Sequence, residues 1–301
     1  MVWRSVVITQ HAKVSYSGRR IIVQTNQTVA EVPIDDIEVL LISNTQAVLT
    51  ARAISELARA AVKVIFSDET GEPVCETVDY LPNNRSMSVL QRQFEWDEAR
   101  KELLWTWLVT AKVQMQITVL QKRHIDASDL DYEFRKIEIN DLSNREAVVA
   151  RKYFPLLFET GFERRNFQPA NAALNYGYSI LLSLVNRNIV ATGCLTQLGI
   201  HHHNDENQFN LGSDLMEPFR PIIDWWVSEQ EIKELTPEVK IKLVDLLNLE
   251  LKFNGKNTIL RNALKTHVTN CINYLNGERE TAKVEVELGD EISDYALNRN
   301  V

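Results

Sequence analysis

Cysteine is scarce in this chain: three residues in 301, Cys75, Cys194 and Cys271. They are isolated and odd in number with no CxxC pair, so nothing suggests zinc or redox work and each reads as a small packing residue. Long apolar runs are also missing. No uninterrupted stretch is long enough to span a bilayer. The start, Met1-Val2-Trp3-Arg4-Ser5, leads into a short alternating pattern instead of the charged region, apolar run and small-residue cleavage site of a secretion signal. These absences predict a cytoplasmic chain with no membrane partner. Positive charge is in deficit: 33 Lys and Arg against 41 Asp and Glu give a net charge of −8. That total by itself argues against a nucleic-acid binder, since phosphate contacts need clustered positive charge.

What is present is an ordinary soluble composition, 45% apolar and 25% charged, in a chain long enough for one large domain or two ordinary ones. Charge is unevenly spread. Residues 252–265 hold Lys252, Lys256, Arg261 and Lys265 without an acid, whereas residues 285–294 hold Glu285, Glu287, Asp290, Glu291 and Asp294 without a base. This predicts segregated basic and acidic surfaces, a pattern that tolerates DNA on one face but equally describes solvated helix faces.

The first part reads as strands. Residues 5–9, 20–25, 37–42 and 62–66 are short and β-branched between turn formers, with Ser17-Gly18 as a hairpin turn and a helix over 50–60 capped by Thr50. The polar, breaker-rich run Pro82-Asn83-Asn84-Arg85-Ser86 is the linker. Beyond it the period becomes helical: one long helix over 91–121 with Leu103, Trp107, Val113 and Ile117 at helical spacing, then helices over 145–159, 169–186, 218–227 and 237–251. The expected fold is α+β in two domains: a small β-rich N-terminal domain over 1–81, a linker over 82–90 and a mostly α-helical catalytic domain over 91–301.

Three local contexts carry candidate chemistry. On a helix from 145, Glu146 shares a face with Val149, Ala150, Tyr153, Phe154 and Leu157. A carboxylate on that apolar face wants a metal or an arginine nearby; the competing reading is a first-turn acid favouring the helix N-terminus, with Asn144 as cap. His201, His202 and His203 form an internal run, readable as a solvated loop or as the imidazole of a mixed N/O site, which suits Mg²⁺ or Mn²⁺ better than zinc. Asp214 and Glu217, three apart, read either as a capping box or as two carboxylates aimed at one cation. Capping boxes are common helix starts, so spacing alone favours the cap. Pro218 and Pro221 then kink the helix or delay its start.

In order, these stretches resemble one family, the CRISPR-associated integrases that insert new spacers into CRISPR arrays. Asp214-Leu215-Met216-Glu217-Pro218-Phe219-Arg220-Pro221 is similar to its acidic helix, Leu198-Gly199-Ile200-His201-His202 to its histidine segment, the helix from Gln168 to Leu181 to another of its helices, and Arg145-Glu146-Ala147 to the segment with its first glutamate. The run from Asn204 to Gly212 is most like the form accompanying type II systems. The resemblance implies a metal-dependent endonuclease and integrase that holds Mg²⁺ or Mn²⁺ through Glu146, His202 and Glu217, with Asp214 in support. The 3′-hydroxyl of a short DNA fragment would attack the leader–repeat junction by transesterification. It further implies a homodimer, two of which sandwich a dimer of a small second CRISPR-associated protein in a heterohexamer. The type II effector nuclease and an accessory DNA-end-binding protein are further partners it admits. Arg164, Arg165, Arg220, Lys252, Lys256, Arg261 and Lys265 are the candidate DNA contacts. Two other readings stay open: a general metal-dependent nuclease on branched DNA, and a noncatalytic helical DNA-binding scaffold.

Overall fold

The computed structural model describes residues 4–68, 73–77, 87–290 and 292. Its first strands are β1 (Arg4–Ile8), β2 (Lys13–Ser17), β3 (Arg20–Gln24), β4 (Val29–Pro33), β5 (Ile37–Ile42) and β6 (Val48–Leu49), followed by helix α1 (Ala51–Arg59), β7 (Lys63–Ser67) and β8 (Pro73–Glu76). They form two four-stranded sheets ordered β1-β5-β7-β8 and β4-β3-β2-β6. The hairpin expected at Ser17-Gly18 turns one residue later, through Gly18 and Arg19, both at positive φ (55° and 61°), with Ser17 still in β2 and paired to Arg20. That is the primed geometry whose twist matches the flanking strands. Thr50 caps α1 by accepting the Ala53 amide at 3.2 Å.

The sheet containing β1, β5 and β7 is buried on both faces, as parallel strands usually are. Leu40, Ile42 and Val64 face α1 and the other sheet in a small core with Val14, Ile21 and Leu57. Val39, Leu41 and Ile65 face the opposite way and belong to the large core of the helical part.

The helical part runs α2 (Met87–Phe94), α3 (Glu98–Lys122), α4 (Ser128–Phe134), α5 (Arg145–Leu157), α6 (Pro169–Ala191), α7 (Asn210–Met216), α8 (Arg220–Ser228) and α9 (Pro237–Asp245), then β9 (Glu250–Phe253), β10 (Lys256–Ile259), α10 (Leu260–Leu275) and β11 (Val286–Leu288). The predicted linker run 82–86 lies outside the described residues, and 87–90 is already helical, opening α2. The single long helix expected over 91–121 is two, because Asp97 starts α3 by accepting the Arg100 amide at 3.0 Å. Helix α3 is the axle of the molecule. Leu104, Trp105, Leu108, Val109, Val113 and Ile117 are all essentially inaccessible, whereas Leu103 and Trp107 are only half-buried.

Two further expectations fail for stated reasons. The helix expected to reach 251 ends at Asp245, because Glu250–Phe253 alternates exposed and buried and turns back through Asn254 and Gly255 (φ 49° and 75°) into β10. The described part of the acidic segment is not segregated from the basic one: β11 pairs with β9, and Lys252 meets Glu287 at 3.2 Å, while Glu291 and Asp294 lie outside the described residues.

Candidate active site

The loop that carries the histidines is shaped by one carboxylate. Asp214, on α7 and fully buried, accepts the amides of Ile200 (2.7 Å), His201 (3.0 Å) and His202 (3.2 Å), and its Oδ1 lies 2.5 Å from His202 Nδ1. A carboxylate receiving three amide protons is an acceptor only, so the fourth proton sits on His202 Nδ1 and the neutral ring presents a lone pair at Nε2. The Asp214 hydrogen bond raises the His202 pKa above its usual value. Gly199 makes the wrap possible: a methyl group there would collide with the His202 carbonyl oxygen and lie 2.9 Å from Asp214 Oδ2. His201 instead stacks flat on Trp105 (centroids 4.0 Å apart, planes 5° apart), and His203 is exposed. Of the three rings, only His202 is held by a carboxylate.

Glu217 lies one turn past Asp214 in a short 3₁₀ turn, Glu217–Phe219, that bridges α7 and α8, with Pro218 and Pro221 placed where a helix start needs no amide donor. The capping-box reading is thereby overturned. The residue before α7 is Phe209, whose side chain caps nothing, and Asp214 and Glu217 sit within the turns with their carboxylates turned elsewhere. Glu217 is 4% exposed and lies between two cations, Lys112 Nζ at 2.5 Å from Oε2 and Arg220 Nε at 3.1 Å from Oε1. These contacts are close but poorly directed as hydrogen bonds, so charge does most of the holding. Burial alone would push the Glu217 carboxyl up; Arg220 and Lys112 outweigh it and hold it below the usual range.

Glu146 reaches the same place from α5. Asn144 caps that helix as expected, from a left-handed conformation, accepting the Ala147 amide at 3.3 Å. Asp141 adds a second anchor, accepting the Arg145 and Glu146 amides at 2.8 and 3.0 Å. Val149, Tyr153 and Leu157 make the buried face. Arg145 and Lys152 also grip the buried Glu133, at 2.9 and 3.0 Å, and their hydrogen bonds hold its carboxyl down at about 2. With its start fixed, α5 delivers the Glu146 carboxylate to Lys112 Nζ, the same ammonium that touches Glu217.

Lys112 is the residue that sequence reasoning missed. It is 7% exposed on α3, among Leu108, Val109 and Val113. Burial pushes its pKa down, but Glu217 and Glu146 more than reverse that, so it stays an ammonium. The signal was available: a lysine inside an apolar helix is almost never buried without a partner. Behind the site Arg220 lies over the Tyr178 ring (4.8 Å), Tyr178 donates to Asp224, and burial pushes the Asp224 carboxyl up to about 6.

The candidate DNA contacts divide. Arg165, Lys252, Lys256 and Lys265 are exposed. Arg164 is spent on Asn171 and Asn175 and on the faces of Phe154 and Tyr178, and Arg220 on Glu217. Arg261 is 5% exposed, which removes it from any DNA-facing surface. Asp214, expected in support of the triad, has its carboxylate filled by four donors, one of them His202 Nδ1.

Two carboxylates and an imidazole with a fixed tautomer are the donor set of a Mg²⁺- or Mn²⁺-class site. Among the described residues, however, no three His, Cys, Asp or Glu side chains are gathered around one point for a metal. Lys112 occupies the space between the two glutamates.

A sequence profile described as CRISPR associated protein Cas1 matches residues 5–261. A CRISPR-associated endonuclease Cas1 of Neisseria meningitidis serogroup C is 33% identical, over 83% of this chain and 85% of its own. A second such protein, from Pyrobaculum aerophilum, is 26% identical over 83% and 92%. Among solved structures, a Cas1 protein from Thermotoga maritima superposes with a TM-score of 0.76 at 19% identity, covering 91% of this chain and 97% of that one. A casposase bound to integration product does so with a TM-score of 0.76 at 20% identity, covering 98% and 97%. With its N-terminal strands, its helical remainder and residues 5–261 all accounted for by that likeness, the chain belongs to the Cas1 family of CRISPR-associated proteins.

Proposed function

We propose that this protein is a divalent-metal-dependent DNA endonuclease and integrase of CRISPR adaptation. It would join the 3′-hydroxyl ends of a short DNA fragment to the leader–repeat junction. In each joining step the 3′ oxygen bonds to phosphorus, the phosphodiester bond at the junction breaks, and the released strand ends in a 3′-hydroxyl. The observation that carries this reading is the convergence of Glu146 and Glu217 on one cation position, the Lys112 ammonium.

Glu146, His202 and Glu217 would hold Mg²⁺ or Mn²⁺, which supplies charge stabilisation at the phosphoryl oxygens of an in-line displacement. The protein's own part is orientation. Asp214 keeps the Nδ1 proton in place, so the ring offers Nε2 and not its other edge. Trp105, edge-on to the His202 ring at 5.7 Å, limits its rotation. Of the candidate contacts, Arg165, Lys256 and Lys265 lie at the surface to meet DNA phosphates, and Lys252 does so only by giving up Glu287; such contacts position the duplex without reading its sequence.

Relatives' names support the same reading: endonuclease for the Neisseria protein, integration product for the casposase, and a Cas1–Cas2 complex, with Cas6 and RT portions, for another structural neighbour with a TM-score of 0.72. We extend it to a homodimer that assembles with the small second protein as a heterohexamer, in a type II setting, and to a two-unit chain whose β-rich part serves dimerisation and partner docking. Among the described residues no helix is long and apolar enough to cross a membrane.

A half-site integration assay with the purified partner, defined DNA ends and controlled Mn²⁺ or Mg²⁺ tests the proposal. Product should require both the metal and a donor 3′-hydroxyl. Cutting of branched DNA without that hydroxyl would favour the general nuclease instead. No metal dependence at all, with DNA still bound, would leave the scaffold reading.

A further inference from the structure

We propose that Lys112 is a tethered counter-cation: its ammonium holds Glu146 and Glu217 together in the metal-free protein and must leave for a divalent ion to bind. The inference rests on the metal-site reading above and adds a residue that reading does not use. Its basis is geometric. Lys112 projects from the most buried stretch of α3, and its single charged atom touches both carboxylates, Glu146 and Glu217. Bringing the buried Glu217 and the partly buried Glu146 together is costly without compensation, so the metal-free pair needs a cation besides Arg220, and the fold supplies one from its own core.

A divalent ion bound by the same two carboxylates would stand within a few ångströms of that ammonium in a poorly screened interior. The repulsion there opposes both cations staying on the same carboxylate oxygens. Binding is therefore an exchange. Glu217 is 4% exposed and also faces Arg220, whereas Glu146 is 24% exposed, so the ammonium departs on the Glu146 side. The apparent metal affinity is then the intrinsic affinity scaled by the fraction of molecules in which the pair is free of Lys112.

Mn²⁺ titration followed by the electron paramagnetic resonance of the free ion gives a binding readout independent of turnover. Lys112→Gln removes the competing charge while keeping a hydrogen-bond donor of similar reach. If the pair is free in about one molecule in ten, Lys112→Gln should bind Mn²⁺ about tenfold more tightly than the natural protein. Equal or weaker binding, in a variant that Glu217→Gln shows to use the same site, overturns the exchange and makes Lys112 a supporting residue. A second measurement needs no variant at position 112: acetylation of intact protein with an amine-reactive ester, read by peptide mass spectrometry. Lys112 should be protected without metal and labelled at saturating Mn²⁺; protection unchanged by saturating Mn²⁺ overturns the proposal even if Lys112→Gln fails to fold. Absence of any Glu217-dependent Mn²⁺ binding in the natural protein removes the metal reading itself. Glu217-dependent binding that Lys112→Gln does not tighten removes only the exchange.

Discussion

Asp214 holds His202 twice, through the ring nitrogen Nδ1 at 2.5 Å and through the backbone amide at 3.2 Å. One buried carboxylate thus fixes the tautomer of the ring and the path of the loop that presents it. In Asp214→Asn the amide group must turn an NH₂ toward donors, leaving backbone amides unpaired. We expect integration to fall about 10- to 100-fold, the usual cost of losing a residue that orients a ligand. Denaturant titration should show a stability loss of about 3 kcal/mol, as for a broken buried charge partner. Full activity at unchanged stability would show that the pair does not orient the ring.

Gly199→Ala should disturb the same loop without replacing a functional side chain. The added methyl group meets backbone at His202 and the Asp214 carboxylate, neither of which can give way cheaply. Overpacking of this kind costs about 1–3 kcal/mol. Chemical denaturation reads the loss, and activity should drop with it because His202 moves. A variant as stable and active as the natural protein would mean the loop relaxes freely.

Single substitutions separate the site from its surroundings. Glu146→Ala, His202→Ala and Glu217→Ala should each abolish half-site integration, while His201→Ala and His203→Ala retain most of it, since one ring stacks on Trp105 and the other is in solvent. Glu217→Ala should also lose about 3 kcal/mol, because Arg220 and Lys112 keep their buried charge with less to balance it. Retention of full activity by His202→Ala, with folding checked on the same preparation, would falsify the assignment.

Acid should weaken the protein through His267. Its Nε2 bonds the Leu215 carbonyl at 2.9 Å, and burial pushes its pKa from the ordinary 6.5 down to about 4. The folded state keeps this ring neutral while the unfolded chain protonates it below 6.5. Stability is therefore complete above pH 6.5 and lost as pH falls from 6.5 toward 4, by about 3 kcal/mol in all. Asp224, raised to about 6, works in the opposite sense over an overlapping range. The His267 share is thus read as the difference between natural protein and His267→Gln in urea titrations at pH 7 and pH 5. Parallel profiles for the two would show that His267 is not the titrating group.

Local signals were legible where one residue type has one use. Asn144 before Glu146, Thr50 before α1 and Gly18 in the hairpin all do in space what their chemistry suggests in sequence. The Asn254-Gly255 pair was an equally plain hairpin sign, hidden because Leu246, Leu247, Leu249 and Leu251 also satisfy a helical period. Spacing could not reveal Lys112, since its partners are 34 and 105 positions away and only the packing of α3 against α5 and the turn at Glu217 brings them together. The Asp214–Glu217 spacing misled in the opposite way: a local capping pattern was overridden by distant partners on the histidine loop and α3.

Strand β5 carries apolar residues on both of its faces, Val39 and Leu41 toward one core and Leu40 and Ile42 toward the other. A slip of one residue would exchange the two sets and still leave every one of them in oil, so polarity cannot dictate the pairing as it does in a sheet with one wet side. Alignment must then be imposed from the ends. The 3₁₀ turn Ile34–Asp36, tied by the Ile34 amide to the Arg19 carbonyl at 3.0 Å, sets where β5 begins, and the Ser43 amide bonded to the Ile8 carbonyl at 2.9 Å sets where it stops. Those two fasteners, not the hydrophobic run they enclose, are where a mispaired and trapped folding product would originate.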